Sequence, residues 1–160
     1  MFANITAGLF RQSSSVEQAH ANEIIPGLWL GDAQAAQDAE FFGRAHIGAV
    51  LNCTKDVPVA FALENMRLAV DDNLQSAEIK HMCQLLPHAA SFLYKTHVLD
   101  NKAVLVHCAA GIQRSATVVA YYLSTYYHIP ISQAVQTVIS KRPHAFVGGK
   151  HINFHACLGL

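Results

Sequence analysis

The strongest constraint on the fold is the segment 107–115, in which a buried strand passes through a short turn into a helix. It reads His-Cys-Ala-Ala-Gly-Ile-Gln-Arg-Ser. The apolar run 103–106 precedes it, and residues 116–123 after it have helical spacing. Such a turn gathers backbone N–H groups into one concavity, and the helix N-terminus adds positive potential. The segment therefore predicts an oxyanion site between a strand and a helix.

The turn has a thiol at one end and a guanidinium at the other. These belong to Cys108 and Arg114, which are separated by five residues. Helix N-termini and nearby cations favour the thiolate, which is the nucleophilic form of cysteine. Arg114 offers a planar fork of donors that matches two phosphate oxygens, unlike lysine. Gly111 allows the backbone to approach closely. We therefore predict that Cys108 attacks a phosphoryl group held by Arg114.

The other residues of the turn receive supporting roles. Ser115 would donate to the sulfur and help it leave in a second step, and His107 would orient the nucleophile rather than act as a base. Taken singly, a cysteine at a strand end is usually a small core hydrophobe, so it is the whole set that favours catalysis. The predicted phosphate-binding loop consists of Ala109, Ala110, Gly111, Ile112, Gln113 and Arg114.

The segment 104–117 resembles the signature of cysteine-dependent dual-specificity protein phosphatases, and is similar to their small atypical members and poxvirus-encoded relatives. The likeness extends to 25–31, 49–54 and 141–143, and covers roughly residues 24–158. It implies a single α/β domain of the protein tyrosine phosphatase type, with a central mixed β-sheet flanked by helices and a phosphate-binding loop between strand and helix. The expected division is an N-terminal extension over 1–22 and a catalytic domain over 23–160.

Alternating apolar patterns give the expected elements. Pro87 should kink or divide the long second helix, and Ser132 is an expected N-cap. Strands are expected near 27–31, 47–53, 66–70 and 103–107, and helices near 32–43, 76–97, 115–127, 132–142 and 149–158.

The resemblance also implies a general acid just past the strand near 66–70, where two aspartates stand side by side. The family pattern selects Asp72 and leaves Asp71 in a variable slot. Asp72 would protonate the leaving oxygen and then activate the water that hydrolyses the cysteinyl-phosphate. A loop-solvating or N-capping role fits Asp71 better, although a share of the acid role stays open for it.

Substrate class follows less directly from the sequence. Little chain lies between Gly31 and His46 for a segment that walls a deep cleft, so the resemblance implies a shallow pocket that takes phosphoserine and phosphothreonine as well as phosphotyrosine. Phosphoinositide phosphatases tend to carry lysines in the loop, and RNA 5′-triphosphatases should need a basic groove. A non-catalytic phosphopeptide-binding module usually lacks the Cys, Arg or Asp. These three alternatives remain open here.

Composition narrows the partners. The chain has 160 residues, enough for one sizeable core, and its eleven basic and eleven acidic residues cancel. The balanced charge predicts no affinity for nucleic acid or for a membrane, and the resemblance implies phosphorylated proteins as substrates and no cofactor. Ten histidines are scattered, and His151 and His155, at i and i+4, do not amount to a metal site.

The four cysteines show no Cys-x-x-Cys pairing and are too sparse for a disulfide scaffold, which suggests a reducing, cytoplasmic compartment (virion or host cytoplasm for a viral protein). In relatives with a protective disulfide, the partner of the nucleophile aligns with Thr54. Strand alternation puts Cys53 on the opposite face, so we do not expect it to pair with Cys108.

The first twenty residues differ from the rest. Phe2, Ile5 and Leu9 fall at helical spacing, and Arg11 ends the apolar run too early for a secretory signal. A helix here would either pack on its own domain or bind a partner, and a homodimer through this segment is one expectation.

Overall fold

The structure is a computed structural model that describes residues 19–61, 63–148 and 154–160. The segment proposed for dimerisation, with Phe2, Ile5 and Leu9, lies outside the described residues, and so does His151. The expected domain boundary at residue 23 falls inside the first strand, which begins at Ala21.

Five strands form one mixed sheet in the order β1-β2-β5-β3-β4. β1 and β2 pair antiparallel, whereas β2, β5, β3 and β4 run parallel. The predicted mixed sheet is confirmed, but the sequence did not predict β1 as a separate strand. The tight turn after it uses Gly27 at a φ of 81°. The strands are β1 Ala21–Ile25, β2 Leu28–Gly31, β3 Ile47–Asn52, β4 Glu64–Arg67 and β5 Ala103–His107.

The parallel pairing determines where the site lies. Gly31 and Asn52 both pair with His107, so three parallel strands end in one row beside Cys108. The carboxyl ends of parallel strands are the usual place for a site in such a sheet. The predicted nucleophile, Cys108, directly follows the last residue of the central strand β5.

Side chains alternate between the two faces of the sheet. Leu28, Val104 and Val106 pack into the larger core cluster, together with residues of the long helices. Leu105 points to the other face and joins Phe41 and Phe42 in a smaller cluster. The central strand is therefore covered on both sides, which explains its continuous apolar run.

In the described part of the chain four α-helices cover the sheet, and their bounds correct several expectations. The helix expected over 32–43 is split, because Asp38 caps a new helix by accepting a hydrogen bond from Phe41 N at 3.2 Å. The C-terminal helix expected over 149–158 is a 3-10 turn in its described part. The helices are α1 Ala39–Arg44, α2 Ser76–Leu93, α3 Arg114–Tyr127 and α4 Ile131–Lys141, with 3-10 turns Ala35–Gln37 and His155–Leu158 and a π turn Tyr94–Leu99.

Two local expectations within the helices are wrong. Pro87 does not divide α2, which continues through it, because the neighbouring Leu86, Ala89 and Ala90 are buried and hold the helix against the core. Ser132 does not cap α4, since the helix begins one residue earlier, with Pro130 at the N-cap position.

The cysteine expectation also needs correction. Cys83 and Cys157 form a disulfide, with their Cα atoms 4.9 Å apart and 74 positions between them in the chain. The bond joins α2 to the C-terminal 3-10 turn. The cysteine pattern therefore gives no argument for a reducing compartment. Cys53 and Cys108 are free thiols.

Within the described ranges, no helix has the length and apolar character needed to cross a membrane.

The core cluster predicts a large stability difference between two leucines. Leu86 is 1% exposed and Leu99 is 64% exposed. We expect Leu86→Ala to lower the free energy of unfolding by about 2–5 kcal/mol, because it leaves a cavity. The matched exchange Leu99→Ala should change it by less than about 0.5 kcal/mol. Urea unfolding of both variants measures this, and equal losses would contradict the placement of α2 in the core.

Candidate active site

The turn after β5 is held from outside by bonds to its carbonyl groups. Arg142 donates from Nε to Gly111 O at 2.8 Å and from Nη2 to Ala110 O at 3.2 Å. A trans peptide is planar, so its N–H points opposite to its C=O. The Ala110–Gly111 peptide shows this directly, because Gly111 N donates to Cys108 Sγ at 3.2 Å.

The neighbouring peptides of the loop have the same orientation. Ala109 O accepts from Ala33 N at 3.0 Å, and Ile112 O accepts from Phe146 N at 2.9 Å. The four carbonyls of 109–112 are thus bound on the outer side of the loop. By the planarity of the peptide, the four N–H groups of 110–113 point away from these partners, to the inner side of the loop, and that of Gly111 contacts the sulfur. This is the oxyanion concavity that the sequence predicts.

Glycine is the only residue type that fits at position 111, in the middle of this loop. Its φ is 67°, and an added Cβ would lie 2.7 Å from Gly31 O and 2.8 Å from Arg142 Nη2. A side chain would therefore separate the loop from β2 or displace the guanidinium. The close contact gives a structural reason for the glycine that goes beyond its φ.

Cys108 lies at the floor of the concavity and is 3% exposed. Its sulfur is 3.1 Å from Ser115 Oγ, so the hydroxyl can donate to it. Two donors, this hydroxyl and Gly111 N, therefore lie within hydrogen-bond distance of the sulfur. Burial raises the pKa of the nearby Cys53 thiol, and the charge of Cys108 adds to this effect. Cys53 therefore stays protonated beneath the nucleophile.

Arg114 lies at the rim and links two walls of the site. Its Nη1 donates to Val70 O at 3.0 Å, immediately before the two aspartates. The side chain is buried, and its Nε has no hydrogen-bond partner among the described residues. A buried unpaired donor is costly. An anion in the concavity would satisfy it.

Asp72 and Asp71 both line a cavity of about 330 Å³ that also contains Ala109 and Arg114. Burial raises the pKa of Asp72, while the charge of Arg114 lowers it and that of Asp71 raises it again. A carboxyl group with a raised pKa keeps its proton to a higher pH, as a general acid requires. This places Asp72 as the acid candidate, in agreement with the sequence pattern.

His107 is almost fully buried, and its Nδ1 lies 3.2 Å from Cys108 O. Burial lowers the pKa of this imidazole, partly offset by that contact. A neutral ring bound to the carbonyl of the nucleophile fits an orienting role. Of the predicted site residues, Asp72, Ala109 and Arg114 line the 330 Å³ cavity, while Ser115 and Gly111 contact the sulfur of Cys108. Across the described part of the chain, no cluster of three His, Cys, Asp or Glu residues is placed to hold a metal.

Sequence reasoning missed the residues that support the loop from a distance. Arg142 was noted only as part of the family resemblance, and Ala33 and Phe146 were not singled out. Arg142 also donates from Nη1 to Ala19 O at 3.0 Å and to Asn22 Oδ1 at 2.9 Å. An arginine at the end of an otherwise amphipathic helix carries no signal for these contacts, because their partners lie far away in the chain.

A family model described as the catalytic domain of dual specificity phosphatases matches residues 28–154. Human dual specificity protein phosphatase 26 is 34% identical over 128 residues, which are 77% of this chain and 60% of that protein. Human dual specificity protein phosphatase 7 is 29% identical over 154 residues, which are 91% of this chain and 36% of that protein. The chain therefore spans at most 60% of the length of these relatives.

Solved structures show the same similarity. The crystal structure of human DUSP28 superposes with a TM-score of 0.73 at 27% identity, over 88% of this chain and 91% of that chain. A mouse putative dual specificity phosphatase, crystallised with zinc tungstate, has a TM-score of 0.73 at 29% identity, over 88% of this chain and 84% of that chain.

The hydrogen bonds of Arg142 predict that its replacement lowers stability and phosphate binding, even when the new residue keeps the positive charge. We expect Arg142→Lys to lower the free energy of unfolding by about 3 kcal/mol, because a lysine cannot serve all four acceptors and each bond to a charged group contributes about 1.5–3 kcal/mol. It should also weaken binding of inorganic phosphate. Chemical unfolding and isothermal titration measure the two effects.

The control is Arg44→Lys, at a 70% exposed side chain with one 3.9 Å ion pair to Glu40. This exchange should alter neither quantity. Equal behaviour of the two variants would show that Arg142 does not support the loop.

Proposed function

The chain belongs to the dual specificity phosphatase family, and we propose that it hydrolyses phosphotyrosine and phosphoserine or phosphothreonine in proteins. The observation that carries this proposal is that all four carbonyls of 109–112 are bound on the outer side of the loop, which leaves the N–H groups of 110–113 on its inner side, where that of Gly111 contacts the sulfur of Cys108. These donors and the unpaired Nε of Arg114 match the three outer oxygens of a phosphoryl group.

In the first step, the Cys108 thiolate attacks phosphorus in line with the leaving oxygen. An S–P bond forms while the P–O bond to the substrate breaks. Asp72 gives its proton to the departing oxygen, so the alcohol or phenol leaves neutral. The raised pKa of Asp72 supports this role, because the proton is present when it is needed.

In the second step, water attacks the cysteinyl-phosphate and the S–P bond breaks. Asp72, now ionised, accepts a proton from that water, and inorganic phosphate forms. Ser115 Oγ, 3.1 Å from the sulfur, can donate to the thiolate as it leaves. The concavity is unchanged between the two steps, since the same oxygens remain in it.

The shape of the site supports a broad choice of residue. Between Gly31 and His46 the chain forms only a 3-10 turn and the short helix α1. Phe41 and Phe42 of that helix face the smaller core cluster. This segment contributes no residue to the wall of the 330 Å³ cavity. It therefore does not deepen the cavity in a way that would keep out the short phosphoserine side chain.

Several finer expectations remain part of this proposal. A catalytic thiolate needs reducing conditions, which supports a cytoplasmic location. Phosphorylated proteins are the proposed partners. A homodimer through the N-terminal segment is retained as a proposal for sedimentation to test, by comparing the full chain with one that starts at Ala21.

The nucleophile is tested with Cys108→Ser. We expect this exchange to abolish phosphate release from phosphotyrosine and phosphothreonine peptides, because the hydroxyl replaces the reactive thiolate. Cys53→Ala, at the other buried free thiol, is the matched control and should keep most of the activity. The panel also includes a phosphoinositide and triphosphate-ended RNA. Fast release from RNA alone would overturn the proposal.

The roles of the two aspartates can be distinguished by the pH dependence of kcat/KM for phenyl phosphate in their asparagine variants. Asp72→Asn should lower kcat/KM by about a hundredfold or more and remove the decline at high pH, because the acid is gone. Asp71→Asn removes a charge that raises the pKa of Asp72. The decline should therefore move to lower pH, with the maximal rate largely kept.

If Asp71→Asn had a greatly reduced kcat/KM and Asp72→Asn a nearly normal one, the general acid would be Asp71 instead of Asp72. Circular dichroism of both variants checks that each is folded at every pH used.

A further inference from the structure

We propose that Glu78 is a positioning residue for the general acid, because it fixes the backbone next to Asp72 and ties it to Lys55, which also lines the cavity. This inference rests on the acid role proposed above for Asp72. Glu78 is not a catalytic residue in this account, since it acts on the acid through the chain that carries it.

Glu78 uses both of its carboxylate oxygens. Oε2 accepts from Asp71 N at 3.0 Å, and Oε1 accepts from Lys55 Nζ at 2.8 Å. Glu78 is the third residue of α2 (Ser76–Leu93). A glutamate at this position often turns back to the N-cap of its own helix. Here it reaches to the preceding loop instead.

The backbone beside the acid is held by few contacts, and Glu78 provides one of them. Within the described residues, the Asp72 side chain makes no hydrogen bond. The peptide group just before it, Val70–Asp71, is held at both ends, because Arg114 donates to Val70 O and Asp71 N donates to Glu78. After the acid, Gln75 N donates to Asn73 Oδ1 and Leu74 packs against the core. Without Glu78, the peptide group beside the acid would be held only at its carbonyl.

Lys55 holds the other oxygen of Glu78 and is itself part of the cavity wall. The backbone beside it is fixed, because Arg67 Nη1 donates to Thr54 O at 3.0 Å. The Glu78 side chain is only 17% exposed, so water competes weakly for it. Its pKa is lowered by the hydrogen bonds from Lys55 and from Asp71 N. The two pKa values are thus shifted in opposite directions, which favours Glu78 as the ionised acceptor and Asp72 as the proton donor.

A displaced acid has a specific kinetic signature. Phenyl phosphate releases a phenol with a pKa of about 10, like tyrosine, and needs protonation as it leaves. Difluoromethylumbelliferyl phosphate releases a much more acidic phenol that departs without it. The ratio of the two kcat/KM values thus reports on the acid alone. The folded fraction of the sample cancels in this ratio, so a destabilised variant remains informative.

We expect Glu78→Ala to lower kcat/KM for phenyl phosphate by about tenfold, and for the fluorinated substrate by less than about twofold. Glu78→Gln keeps an oxygen that accepts from Asp71 N, so its ratio should stay near that of the wild type. Glu64→Ala is the matched control. It removes two ion pairs, to Lys95 and Lys102, at the far end of the sheet, and should leave the ratio unchanged.

Asp72→Asn on the same two substrates separates the outcomes. A normal ratio in Asp72→Asn would overturn the acid role and this inference with it. A low ratio in Asp72→Asn beside a normal ratio in Glu78→Ala would overturn the role of Glu78 alone. A Glu78→Gln ratio as low as that of Glu78→Ala would contradict the hydrogen bond to Asp71 N as the cause.

Discussion

The phosphate site depends on one buried guanidinium. Arg142 binds the carbonyls of Ala110 and Gly111 from behind the loop. In a trans peptide the C=O and the N–H turn together. The hydrogen bonds to the carbonyls on the outer side of the loop therefore fix the direction of the N–H groups on its inner side. The arginine proposed to bind phosphate and the arginine that orients the loop are therefore different residues. Arg114 would contact the substrate, while Arg142 would never meet it.

The acid side of the site is built on the same principle of indirect support. Arg114 reaches across to Val70 O, and Glu78 reaches back to Asp71 N. Both bonds hold the same peptide group, Val70–Asp71, directly before a functional carboxyl group that makes no hydrogen bond of its own among the described residues. Such a group can be directed toward a leaving oxygen without first breaking a bond. Its raised pKa follows mainly from partial burial in the same place.

Sequence reasoning found what is local in the chain. The nucleophile, the loop and Ser115 are contiguous, so one short segment carries their pattern, and the central strand β5 has the predicted bounds. Contacts between distant positions were not found. Arg142 is 123 positions from Ala19, and Cys83 is 74 positions from Cys157. Pro87 was misjudged because packing of the surrounding turn outweighs its local cost, which no propensity expresses.

The hairpin of β1 and β2 determines how far the catalytic unit extends along the chain. Gly31 touches Gly111, and Ala19 O and Asn22 Oδ1 complete the set of acceptors around Arg142. The amino-terminal edge of the sheet thus supports the loop after β5, although it carries no reactive group. A shortened chain that began at residue 23 would leave the guanidinium short of two acceptors. The smallest unit with an intact phosphate site therefore begins no later than Ala19.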